Sequence, residues 1–269
     1  MAGKKTEFTS EQRIRTASLP NHGKTYTVIP HGYLIDETRK ELLAEGFLIS
    51  KEIYKTNLDS QVAQAIYHLN YGDDSDMGLM FAWSNSYNKM MSFKCAVGAQ
   101  VFVCMNGMVA GNLSNYTRRH TGNALQEATN TIRLQISKAK QFYHQLVKDK
   151  DMLKGITLTK SEQASIVGQL LIEQEVLTLT QVGVVKREIE TPSHIYNAPA
   201  DSAWTLYNHI TLALKDSHPM TYIADHEKLH NFFVDQYGLV KKYVQPELTF
   251  VEEIKEKEEI EIDNGVIFL

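Results

Sequence analysis

The run from Met80 to Asn112, MFAWSNSYNKMMSFKCAVGAQVFVCMNGMVAGN, constrains the fold more than any other part of the chain. Phe81, Trp83, Phe93, Val97, Val101, Phe102 and Val103 suit pleated, half-buried surfaces. Ser84 to Asn88 reads as a turn, because Ser and Asn side chains bond nearby backbone groups. Gly98 divides the next apolar run and predicts a bend or bulge. Asn106-Gly107 predicts a hairpin, since both residues tolerate the positive φ of a type I′ turn. Strands are therefore predicted near 78–84, 90–97, 100–105 and 108–111, in an antiparallel meander. The apolar runs are dense rather than strictly alternating, so part of this sheet is expected to be buried on both faces.

A helical stripe follows at once. Leu125, Ala128, Ile132, Ile136, Ala139, Tyr143 and Leu146 recur at steps of three and four, which predicts one long helix with Asn123 as its N-cap. Thr159 and Glu162 form a capping box for a helix running to about Glu175. Further helices are predicted over 200–214 and 225–235, with a polar loop between Pro192 and Pro199. Upstream, a strand is predicted over 25–29 and a turn at Pro30-His31-Gly32. A helix from Asp36 follows, stopped by Gly46, then a strand over 47–54 and a helix from Asp59 or Ser60 to Leu69. The class this implies is α+β: an antiparallel β-meander packed against long amphipathic helices. Residues 1–18 are polar and basic and read as a flexible arm. Residues 19–250 form a single domain, and 251–269 an acidic tail with an apolar tip.

Composition narrows the functional classes. The formal net charge of −4 marks neither a nucleic-acid nor a membrane binder globally, so only local patches can act that way. Two cysteines, Cys95 and Cys104, exclude a disulfide framework and a cysteine-rich zinc site, and they read as buried thiols of a reducing cytoplasm. No apolar run approaches the ~20 residues that span a bilayer. The start, MAGKKTEF, has charge without a following apolar region, so no signal peptide is expected.

A turn Asn85-Ser86-Tyr87, an apolar strand and then Cys104-x-Asn106-Gly107 with Met108 and Val109 resembles the phage- and plasmid-encoded family called domain of unknown function 932. The segments Leu19 to Leu34 and Ala203 to Thr211 are also similar to it, so the resemblance covers roughly residues 19–240. It implies a mobile-element protein in a bacterial host and supplies no catalytic residues.

Three constellations bear on chemistry. His226-Glu227-Lys228-Leu229-His230 is an H-E-x-x-H pattern, which on a helix sets two imidazoles one turn apart with a general base between them. The third ligand is not obvious; Glu247 or Glu252 would have to serve, and the expected reading is a chance match on a short solvated helix. Second, Arg118, Arg119, Arg133, Lys138, Lys140, Lys148 and Lys150 stand against only Glu127 and Asp149 between residues 112 and 150. With Trp83 and Tyr87 nearby in the sheet, cations to follow a phosphate backbone and rings to stack on bases match single-strand binding. Core packing is the competing explanation of the same rings. Hairpins leading into a long helix also resemble the core of single-strand annealing proteins, by analogy of fold alone. Third, residues 252–263 carry seven acids and two lysines ahead of Val266-Ile267-Phe268-Leu269, and resemble the partner-docking tails of single-strand binding proteins.

The expectation is a cytoplasmic accessory protein, without cofactor or catalysis, that binds single-stranded DNA or RNA in recombination, annealing or replication. Trp83, Tyr87, Arg118, Arg119, Arg133, Lys138 and Lys140 are its expected contacts, with self-association and a protein partner at the tail. The alternatives are a non-catalytic interaction or anti-defence factor, and a zinc hydrolase on His226 and His230.

Overall fold

The structure, a computed structural model, describes residues 7–21, 26–103, 107–109, 116–118 (backbone only) and 120–239. Cys104, Asn106, Arg119, Glu247 and the acidic tail lie outside the described residues, as does the side chain of Arg118.

Seven strands form one antiparallel sheet. They are β1 (Glu7–Thr9), β2 (Leu48–Thr56), β3 (Val62–Asn70), β4 (Met77–Ser86), β5 (Phe93–Val101), β6 (Gly107–Val109) and β7 (Tyr116–Arg118). The first six lie in chain order, and β7 pairs with the first part of β5. The meander is thus as predicted, and every residue of β4 is buried.

Three details depart from the sequence expectations in this region. Ser84 to Ser86, read as part of a turn through Asn88, are the buried end of β4, paired with Val62 to Gln64. The strands predicted over 90–97 and 100–105 are one strand, β5, whose register runs unbroken through Gly98 opposite Met80. Gly98 is needed for space: a Cβ there would stand 2.4 Å from the Met108 carbonyl oxygen of β6. Gly107 likewise opens β6, opposite Gln100, and a Cβ on it would meet the Tyr222 hydroxyl at 2.5 Å. Its requirement is close approach to a ring.

The helix predicted from Asp59 to Leu69 is strand β3. Val62, Ile66 and Leu69 match a helical step, but all residues from Val62 to Leu69 are buried. Burial on both faces erases the period-2 signal of a strand. The turn before it was the better cue: Asn57 Oδ1 accepts from Val62 N at 3.0 Å, and Asp59 Oδ1 from Gln61 N at 3.0 Å.

The N-terminal segment is not a free arm beyond residue 6. β1 pairs with the end of β2, and Ser10 caps α1 (Glu11–Arg15), whose Ile14 is fully buried. Arg39 binds both Glu11 and Glu52, and Arg15 binds Glu11 and Asp36, so ion pairs tie the segment down. Residues 26–30 are irregular where a strand was predicted. The predicted turn at Pro30-His31-Gly32 is the entry to α2 (His31–Ala44), with Pro30 at the N-cap in an extended conformation, φ −62° and ψ 133°.

The long predicted helix is two, α3 (Ala124–Ser137) and α4 (Ala139–Lys154), broken at Lys138. The apolar stripe survives the break: Ala128, Ile132, Ile136, Ala139, Tyr143 and Leu146 are all buried. Asn123 occupies the N-cap position without a side-chain cap bond. The Thr159/Glu162 capping box opens α5 (Lys160–Ile172), as predicted. A second box, Thr178/Gln181, opens α6 (Leu179–Glu190), a helix that periodicity did not single out. Next come α7 (Ala203–Leu214) and α8 (Tyr222–Tyr237), the latter ending at the left-handed Gly238.

The helices divide between the two faces of the sheet. Tyr67, Phe81, Trp83, Cys95, Val97 and Ala99 enter the main core with the stripes of α2, α3 and α4. On the other face Ile66, Met80, Ala82, Ala96 and Val109 pack under Tyr222 and Ile223 of α8. The Tyr222 ring also carries the buried Lys55 ammonium 4.6 Å from its centroid, so one side chain joins β2, β6 and α8. Lys55 donates to the Lys215 carbonyl at 2.6 Å, and burial pulls its pKa down to about 8.

Candidate nucleic-acid interface

One end of the sheet opens into a cleft of about 730 Å³. Its walls come from the start of β2, the end of β3 and its loop, and the end of β5: Lys51, His68, Asn70, Tyr71, Gln100 and Phe102. Here β2 carries a register shift between Ile49 and Lys51, and Ser50, at the irregular position, donates to the His68 carbonyl at 3.0 Å. Such bulges bend a strand and re-aim its side chains. Lys51 and Asn70 are exposed, Tyr71 is half-buried, and Phe102 is 48% exposed.

Both rings are braced. Phe102 donates its backbone N–H to the Asp76 carbonyl at 2.9 Å, and its ring folds over Gly78, where a Cβ would come within 2.9 Å. Tyr71 meets Phe47 and Tyr143 edge-on, each at 5.6 Å between centroids, and its hydroxyl lies 3.2 Å from His144 Nε2. Lys140, at the start of α4, sits 5.7 Å from the Tyr71 centroid and 5.4 Å from that of Phe47. His68 is held neutral at physiological pH, its pKa drawn to about 4 by burial and then by Lys51. A neutral imidazole offers one donor and one acceptor.

The residues expected to contact nucleic acid are dispersed. Trp83 is wholly enclosed, its indole N–H donating to the Tyr67 hydroxyl, and Tyr87 is 2% exposed. Neither ring has a face for a base, which corrects the stacking role expected of them. Arg133 forms a two-bond pair with Glu41 of α2, at 2.9 and 3.0 Å. Lys150 is buried against Asp74, Asp76 and Asp151. Lys138 is half-buried at the α3–α4 break. Of the expected contacts, Lys140 is the one whose position beside an accessible ring is described.

Tyr87 instead belongs to a closed junction made by two of the family-like segments. Asn85 Nδ2 donates to the Ile29 carbonyl at 2.8 Å and faces His31 Nδ1 at 3.1 Å. The Tyr87 hydroxyl accepts from His31 N at 2.7 Å, and its ring stacks on the imidazole at 3.8 Å. The amide orientation makes His31 Nδ1 an acceptor and assigns the proton to Nε2. Burial first, then His120, lowers the His31 pKa to about 3. These motif residues hold the fold together.

His226 and His230 are buried in different surroundings, where a solvated helix was expected. His226 lies 4.4 Å from the Tyr222 ring between centroids, and burial followed by Lys55 lowers its pKa to about 3. His230 Nε2 lies 3.2 Å from Asp149 Oδ2 of α4. Among the described residues no group of three or more His, Cys, Asp or Glu side chains is placed to hold a metal ion. Cys95 is a buried free thiol whose pKa is pushed up by burial, which makes it a poor nucleophile. No helix among the described residues is long and apolar enough to cross a membrane.

The fold is thus a seven-stranded antiparallel sheet with helices on both faces and an open cleft at one end. Residues 19–230 match the family described as Domain of unknown function (DUF932), and the chain belongs to that family. No curated protein and no solved structure matches the chain.

Proposed function

We propose that this chain is a mobile-element accessory protein of the bacterial cytoplasm that binds single-stranded nucleic acid through the end cleft. The observation that supports this most is the union, in one open site, of two accessible braced rings, Tyr71 and Phe102, with Lys51, and with Lys140 adjoining at 5.7 Å from the Tyr71 centroid. Flat rings stack on unpaired bases, and cations hold the adjoining phosphates. The cleft takes over the role expected of Trp83 and Tyr87. The test is fluorescence anisotropy with labelled single-stranded oligonucleotides. Wild-type binding should fall at least tenfold in Phe102→Ala and in Lys51→Glu; equal binding by all three proteins would remove the cleft from the interface.

A second reading has its own support. Leu48, Phe102 and Val103 expose apolar surface near this end, and such surface also suits a protein partner. Absence of any oligonucleotide binding would leave that interaction role in its place.

A further inference from the structure

We propose that the cleft accepts the base of a single unpaired nucleotide, with its neighbouring phosphates at Lys51 and Lys140, and does not follow a long strand. This rests on the nucleic-acid reading above and specifies its ligand. Size is the first argument: about 730 Å³ falls within the range that encloses one small-molecule-sized group. A strand-binding surface needs instead a groove that continues past its first base.

Charge is the second argument. Beyond Lys51 and Lys140, several cations of α4 and of the neighbouring α2 and α3 turn to protein carboxylates. Lys150 pairs with Asp74, and Lys154 with Asp76. Arg39 pairs with Glu11 and Glu52, and Arg133 with Glu41. The loop that leaves the cleft after Tyr71 also carries the exposed Asp73, a carboxylate that repels a phosphate chain continuing in that direction. Chemistry of the wall is the third argument. Neutral His68 and the exposed Asn70 amide present donors and acceptors suited to a base edge, while phosphate has only acceptors.

The experiment is a length and salt series on the full chain. Thymidine and uridine homo-oligomers of one, two, four, eight and sixteen nucleotides compete against a labelled probe at several salt concentrations. Expected are an affinity that stops rising by about two nucleotides, and a log–log salt slope near −1.4 for two phosphate contacts on a single strand. That slope weakens binding only about sevenfold between 50 and 200 mM salt. Preference for the deoxy or ribo series identifies DNA or RNA as the source of the nucleotide. Phe102→Ala should lower the plateau at least tenfold without changing the slope. Its half-exposed ring makes it a safe replacement, and an unchanged melting temperature verifies the fold. Affinity that keeps climbing to eight or sixteen nucleotides, with a slope steeper than −4, overturns the single-nucleotide site and leaves nucleic-acid binding standing. No binding at any length overturns both.

Discussion

The His31–Asn85–Tyr87 junction and the end cleft are both rich in aromatic, amide and imidazole groups, and they differ in what their environment does with them. At the junction Asn85 Nδ2 turns to His31 Nδ1 and His31 N to the Tyr87 hydroxyl, the rings stack face to face, and all three side chains are buried. At the cleft the rings are braced by their neighbours and stay partly exposed. The junction draws on residues from two sequence motifs, Pro30-His31-Gly32 and Asn85-Ser86-Tyr87. The cleft draws on single residues from separate strands and loops that form no motif. In this chain a short motif marks where segments are tied together, and an accessible surface arises where strands end.

Acid should produce the largest effect, acting on buried imidazoles of both regions. His31 and His226 have folded pKa values near 3, and His68 and His120 near 4, all below the ordinary 6.5 because burial opposes their charged forms. The unfolded chain therefore binds more protons between pH 6.5 and 4. Stability from these groups is complete above pH 6.5 and is lost as pH falls toward the folded values. At about 1.4 kcal/mol per proton per pH unit, four histidines cost on the order of 8 kcal/mol by pH 5. That is comparable to the whole stability of many domains. Thermal melts from pH 7.5 to 4.5 should show a steep fall starting near 6.5. A flat profile down to pH 5 would mean that the buried imidazoles are already charged or solvated.

Asn85→Leu tests the junction alone. It leaves the Ile29 carbonyl and His31 Nδ1 without their donor, a loss of about 3 kcal/mol from two buried polar groups. Denaturant unfolding should show that drop, while oligonucleotide affinity of the remaining folded protein stays as in wild type. Loss of affinity at unchanged stability would reverse the roles assigned to the two regions.

Gly107→Val should cost about 2 kcal/mol by overpacking against Tyr222 and Met80. The comparison with a turn-based explanation is direct. If space is the cause, Tyr222→Phe, which removes the crowded hydroxyl, should recover part of the loss in the double variant. A φ-strain cause predicts no recovery.

The sequence carried the meander, the β4 core strand, the α3–α4 stripe and the Thr159 cap, because each rests on local chemistry repeated over several residues. It misled at β3, where burial on both faces imitates a helix face, and at Trp83 and Tyr87, where composition cannot tell an enclosed ring from an open one. The Thr178/Gln181 box was readable by the same rule as Thr159/Glu162. The cleft was not readable. Ser50, His68, Tyr71 and Phe102 meet only through strand register and the Ile49/Lys51 shift, which no spacing in the chain announces.

The smallest effect expected is also the most specific to the cleft. Lys51→Gln removes an exposed cation without disturbing packing, so its effect on stability should stay within about 0.5 kcal/mol. A phosphate-binding lysine, in contrast, contributes a definite fraction of the salt slope, about 0.7 on a single strand. The variant should therefore bind with a slope shallower by that amount, and its affinity should approach that of wild type at high salt, where screening removes the cation's advantage. Lys140→Gln should shift the slope equally if both lysines hold phosphates, and less if Lys140 serves only to brace Tyr71 and Phe47. In the bracing case it should also lower affinity at every salt concentration. Equal slopes in wild type and both variants would show that neither lysine touches a phosphate, and would confine the cleft's contribution to its rings and amides.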